Sequence, residues 1–117
     1  MNPREHIAAS LNFLELADIS IAERNPLLRS ELLWCAAAHT VKAVSKQTNL
    51  RNRSHEDLFT AIRHIAHNLG ETDLIARFNL ASLLHRNMYE GDLSNRAIIQ
   101  YRQQVRQLVH RLAALVG

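Results

Sequence analysis

Seven histidines, one cysteine and a run of arginines are the side chains with chemistry to offer in this 117-residue chain. His85 comes first. It shares a helical face with Phe78, Ala81 and Met88, so its imidazole is expected to point into packing, where each ring nitrogen needs a hydrogen-bond partner. His64 and His67, three apart, could lean over one turn of a helix. They lie opposite Leu58, Ile62 and Ile65, in the company of Thr60 and Arg63, and are expected at the surface. A zinc centre needs three or four protein ligands, and a di-iron bundle needs paired Glu-x-x-His motifs. Neither is present: three residues after Glu15, Glu31, Glu56 and Glu71 come Asp18, Trp34, Phe59 and Leu74. No metal and no cofactor is expected. His39 reads as a boundary residue beside a polar stripe. Cys35, inside Leu32-Leu33-Trp34-Cys35-Ala36, reads as a small buried hydrophobe, and as the sole cysteine it excludes an internal disulfide and a Cys-rich zinc site. Three scattered glycines cannot build a phosphate loop, and no nucleophile elbow appears.

The charge is unevenly placed. The chain carries +3 overall. Residues 93–117 hold Arg96, Arg102, Arg106 and Arg111 with no acid, while residues 1–31 are net acidic. That basic final segment makes these four arginines candidates for nucleic-acid contact, although arginine and glutamine also furnish an ordinary solvated helix face.

These side chains must be positioned by helices. Apolar residues are 47% of the chain and charged ones 21%, with few glycines and prolines, which is globular and helical usage. The first helix is predicted from Pro3, capped by Asn2, to the Glu23-Arg24-Asn25-Pro26 stop, with Ile7, Leu11, Phe13, Leu14, Ala17 and Ile21 facing the core. Leu27 to Thr48 predicts a central helix, apolar except for the stripe Glu31, Lys42, Ser45, Lys46, with Ala36, Ala37 and Ala38 allowing close approach. After a polar loop over 49–53, Ser54 caps a third helix that ends at Gly70. A fourth runs from Thr72 or Asp73 to Glu90, burying Leu74, Phe78, Ala81, Leu84 and Met88. A fifth starts near Ser94 and gathers Ile98, Tyr101, Val105, Leu108, Val109 and Leu112 on one arc. The expected fold is therefore all-α: a compact antiparallel bundle of about five helices, four long and one shorter, in a single domain over residues 1–117. No apolar run nears the ~18 residues of a membrane span. Glu5, Glu15 and Asp18 interrupt any amino-terminal signal pattern, so the expected address is the cytoplasm.

The stretch Leu83-Leu-His-Arg-Asn-Met-Tyr-Glu-Gly-Asp92, followed by a long amphipathic helix, resembles the HEPN superfamily of helical bundles, most closely its paREP-type archaeal branch. Asn25-Pro26, Glu31 to Ala36, Val41-Lys42, Ser54-His55 and Leu58 look like that family's second and third helices. The resemblance implies a bundle that dimerises and often works beside a nucleotidyltransferase-type partner or a nucleotide. In catalytic members it implies a metal-independent, toxin-like ribonuclease. There an arginine stabilises the phosphate and a histidine, after a spacing of roughly four to six residues, moves the proton of the 2′-hydroxyl. Arg86-Asn87 match the first half, but the histidine positions hold Gly91, Asp92 and Leu93. Asp92 is too acidic for a good base near neutrality, and His85 points about a quarter-turn from Arg86. The expectation is thus a non-catalytic HEPN-like protein that acts by association, as a homodimer or with a partner protein or nucleotide. Arg86, Asn87 and Tyr89 are its candidate ligand-binding residues, and Ile19, Leu80 and Leu83 its spare apolar surface. The alternatives are a ribonuclease using Arg86, Asn87 and His85 or Asp92, and an RNA- or DNA-binding module using the last helix.

Overall fold

A helix that is apolar around most of its circumference has to be surrounded, and the helix α3, Pro26–Gln47, is the one the others surround. The computed structural model describes residues 1–117, the side chain of Ser20 excepted. Around α3 lie α1, Pro3–Ala17; the single turn α2, Ser20–Glu23; α4, His55–Leu69; α5, Asp73–Glu90; and α6, Asn95–Ala113. The described residues are otherwise loop and turn, so the molecule is all-helical, with five substantial helices. It measures 38 × 24 × 22 Å.

Local chemistry starts each helix. Asn2 and Glu5 form a capping box on α1, and Asn25 accepts from the Leu28 N–H ahead of Pro26 at the head of α3. Ser54 and Asp57 form a second box on α4, and Ser94 accepts from the Ala97 N–H on α6. Gly70 and Gly91 end α4 and α5 in the left-handed conformation, φ 68° and 62°.

The directions follow from the contacts between helix ends. Arg4 donates to the Gly117 carbonyl and Gln47 to the Leu115 carbonyl at one end, while Asp18 meets Arg29 and Arg102 towards the other. Thus α1 and α5 run one way and α3 and α6 the other, an antiparallel four-helix arrangement. The shorter α4 begins beside Trp34 and ends beside Val44 and Gln47, so it lies along the second half of α3 in the same direction. One cluster of apolar side chains fills the interior. Leu33, Ala36, Ala37 and Val41 of α3 meet Leu14 and Ala17, Leu58 and Ile62, Leu74, Phe78 and Leu84, and Val105, Leu108 and Leu112.

Two expectations about the first helix are corrected. The predicted single helix to Asn25 breaks after Ala17, with no glycine or proline at the break. Asp18 is drawn instead to three arginines on α3 and α6, and the chain resumes as α2 in a new register. That register buries Ala22 and leaves Ile21 68% exposed. The buried face of α1 is also not the most apolar one. His6, Ser10, Leu14 and Ala17 point inward, while Leu11 stays exposed. Here the small residues of α3 decide. Ala36 and Ala37 let the α1 backbone come close enough for the Ser10 hydroxyl to donate to the Ala36 carbonyl at 2.6 Å, and a bulkier leucine cannot occupy that gap.

Candidate functional site

His85 is placed by α5, whose Phe78, Ala81 and Leu84 are buried against α3. One position on from Leu84, the imidazole comes out at the edge of the α3–α5 contact. Its Nδ1 donates to Glu31 Oε2 at 2.9 Å, and both side chains are about a quarter exposed (24% and 27%), so the pair is reachable from solvent. Trp34, one turn along α3 from Glu31, stacks on the ring with centroids 5.0 Å apart. His55, the first residue of α4, packs edge-on at 5.0 Å, and Tyr89 packs edge-on at 5.6 Å. The core-facing expectation holds on the Trp34 side of the ring only; the Glu31 side is open. A carboxylate on Nδ1 fixes the tautomer and orientation of an imidazole and leaves Nε2 for proton transfer or for binding.

The neighbouring candidates are engaged elsewhere. Arg86 pairs with Asp92 at 2.9 Å across the turn that ends α5, and both remain about half exposed. Tyr89 is 75% exposed. Asn87, a candidate ligand-binding residue in the sequence and so expected to be accessible, is 1% exposed. Its Nδ2 donates to Ser30 Oγ at 2.9 Å, and its Oδ1 accepts from the Leu93 N–H at 2.8 Å. Ser30 in turn donates to the Pro26 carbonyl at 2.8 Å. Asn87 thereby ties the end of α5 to the start of α3 and to the turn before α6.

Three of the four arginines of the last helix are also spoken for. Arg102 Nε donates to Asp18 Oδ1 at 2.7 Å, and Arg106 reaches Asp18 Oδ2 at 3.5 Å. That hydrogen bond from Arg102, with the charges of Arg106 and Arg29, holds the Asp18 carboxyl below the usual range. Arg111 Nε bridges both oxygens of Glu71 at 2.9–3.0 Å. Of the four candidates only Arg96 makes no ion pair among the described residues.

Sequence reasoning missed Glu31, Trp34, His55 and Asp18 as partners of the candidate residues. The signal for Glu31 was its place in the polar stripe of α3 on the side facing α5. Nothing local marks His55 or Asp18. Cys35 is half-buried, and burial together with Glu31 pushes its thiol up. His64 and His67 are exposed, as expected. No three His, Cys, Asp or Glu side chains among the described residues are placed to share an ion. No described helix is long and apolar enough to cross a membrane.

The molecule is therefore an all-α bundle with a Glu–His–aromatic cluster at the α3–α5 edge. By its residues 5–109 it belongs to the archaeal PaREP1/PaREP8 family, the branch that the 83–92 segment resembles. Its fold is similar to that of a protein from Sulfolobus solfataricus known from a crystal structure. The TM-score is 0.80 at 20% identity, covering 91% of this chain and 94% of that one. No curated protein matches it.

Proposed function

We propose that residues 1–117 form one HEPN-like domain that works by association rather than by cutting RNA, and that it pairs with a second copy through one end of the bundle. The observation that carries this reading is a group of large apolar side chains left in solvent at that end. Ile19, Ile21, Leu27, Ile99 and Tyr89 are 47%, 68%, 41%, 52% and 75% exposed. They come from the α1–α3 junction, the end of α5 and the start of α6. Leu27 lies against Gly91, and Ile99 borders a shallow cleft with Glu23, Pro26 and Arg29. Leu80 and Leu83 are half-buried and add little.

Burying one such side chain contributes roughly 1.5–3 kcal/mol, and association itself costs about 4–15 kcal/mol, so several must act together. Arg86 with Asp92, and Asp18 with Arg29 and Arg102, border this end as ion pairs closed within one copy. A two-fold contact of the face with itself then rests on the apolar side chains rather than on charge pairs. Light scattering at roughly tens of micromolar is expected to give a dimer mass, and a monomer with Ile21→Glu plus Ile99→Glu at unchanged helicity. A monomeric parent protein would refute the reading.

The ribonuclease alternative has one observation in its favour, the Glu31–His85 contact beside Arg86. It predicts RNA cleavage in EDTA that is lost in both Arg86→Ala and His85→Ala. The nucleic-acid reading of α6 is disfavoured by the pairing of Arg102, Arg106 and Arg111 with Asp18 and Glu71.

A further inference from the structure

Away from the apolar end, a cavity of about 760 Å³ opens between the start of α1, the second half of α3 and the loop into α4. Its lining includes His6, His39, Lys42, Lys46, Arg51 and Arg53. We propose that this cavity binds the adjacent phosphate groups of a small ligand, as found in inorganic pyrophosphate or in the phosphate tail of a nucleotide. The site is independent of the association proposed above.

The first support is charge left unneutralised. Six arginines elsewhere in the molecule make ion pairs: Arg29, Arg77, Arg86, Arg102, Arg106 and Arg111. Lys42, Lys46, Arg51 and Arg53 make none among the described residues; Arg4, Arg24, Arg63 and Arg96 make none either but do not line the cavity. The two lysine ammoniums are held by neutral acceptors instead. Lys42 Nζ donates to the Asn52 carbonyl, and Lys46 Nζ to the Met1 carbonyl at 2.6 Å. Burial, and then the nearby Lys46, push the Lys42 ammonium down against the opposing charge of Asp57. The one carboxylate on the wall, Asp57, is committed to the head of α4, where it accepts from the Arg53 and Ser54 N–H groups at 3.1 and 3.2 Å.

The second support is the histidine pair. His6 and His39 share a hydrogen bond between their Nδ1 atoms at 2.9 Å, and His39 also stacks on Phe13. His6 is 5% exposed, and its Nε2 has no partner in the protein. A buried polar atom without a partner is uncommon, and this one belongs to a ring that lines the cavity. Burial first pushes both imidazoles down, joined by His39 and then Lys46 for His6, and by Lys42 for His39. A bound anion would reverse that field.

The ligand class follows from number and shape. Two guanidiniums and two ammoniums match a compact group with several negative charges, and the arginine fork fits phosphate oxygens. The volume lies within the range of small-ligand sites, roughly 300–1,000 Å³. A polynucleotide needs a track of free cations, whereas Arg102, Arg106 and Arg111 on α6 are already paired.

Calorimetry of the full chain at low salt, with inorganic pyrophosphate, a nucleoside triphosphate and a short single-stranded RNA as probes, tests the assignment. One-to-one binding of pyrophosphate or the nucleotide is expected. It should weaken roughly tenfold or more in Arg51→Gln plus Arg53→Gln, exposed loop positions that leave the fold intact, and stay unchanged in Arg96→Gln. Equal affinity for the two small probes assigns the site to phosphates alone, and tighter nucleotide binding adds a contact to the nucleoside. Absence of binding to both, binding indifferent to the loop substitutions, or binding of RNA only would overturn the proposal.

Discussion

Replacing Asn87 with alanine separates a structural tie from a ligand-binding residue. The amide is 1% exposed and makes two hydrogen bonds across chain separations of 57 and 6 residues. Truncation leaves the Leu93 N–H without its acceptor in a half-buried turn, which costs about 1–3 kcal/mol. Ser30 keeps its donation to Pro26 and loses only the amide donor, and the vacated volume adds a small cavity term. The total comes to about 2–4 kcal/mol, which for a domain of this size lowers Tm by roughly 8–16 °C. Urea denaturation followed by circular dichroism measures it directly. A loss under about 0.5 kcal/mol would show that the amide does not hold α5 to α3, and would return Asn87 to the list of residues free to serve a ligand.

Asp18→Asn should destabilise by about 1 kcal/mol at neutral pH, since the carboxylate is a third exposed and its three arginines are partly screened. Because the folded-state pKa of Asp18 is depressed, that difference should be present above the ordinary carboxylate range and vanish as the pH falls well below it; a pH-independent difference would sink the ion-pair account. His6 acts at higher pH. Burial, with His39, Lys46, Lys42 and the amino terminus, lowers its pKa to about 4. The unfolded chain, near 6.5, therefore takes up the proton first, and up to about 3 kcal/mol of stability should be lost as the pH falls from 6.5 towards 4. His39 shifts in the same direction. In His6→Gln this slope should flatten, and an unchanged slope would exclude His6 as its source.

Most of the helical framework is legible without coordinates. The caps Asn2, Asn25, Ser54 and Ser94, the stops Gly70 and Gly91, and the apolar arcs of α4, α5 and α6 all come from interactions within about four residues of chain. Such signals fail where two faces of one helix compete. On α1 the stripe through Ile7 and Leu11 is the more apolar, and His6 with Ser10 is buried instead, because the surface it meets on α3 is small and offers a carbonyl.

The amino-acid sequence by itself determined an all-helical bundle, its central helix and the lengths of its later helices, because periodicity and capping are local. Only the tertiary structure decided which charges meet. Asp18 finds Arg102 across 84 residues, Glu31 finds His85 across 54, and His6 finds His39 across 33. Those pairings depend on the rotation and height of one helix against another, which packing of the whole core sets. The same positioning turned Asn87 inward, paired Arg102, Arg106 and Arg111 of α6, and left Lys42, Lys46, Arg51 and Arg53 without ion pairs around a cavity whose one carboxylate, Asp57, caps α4.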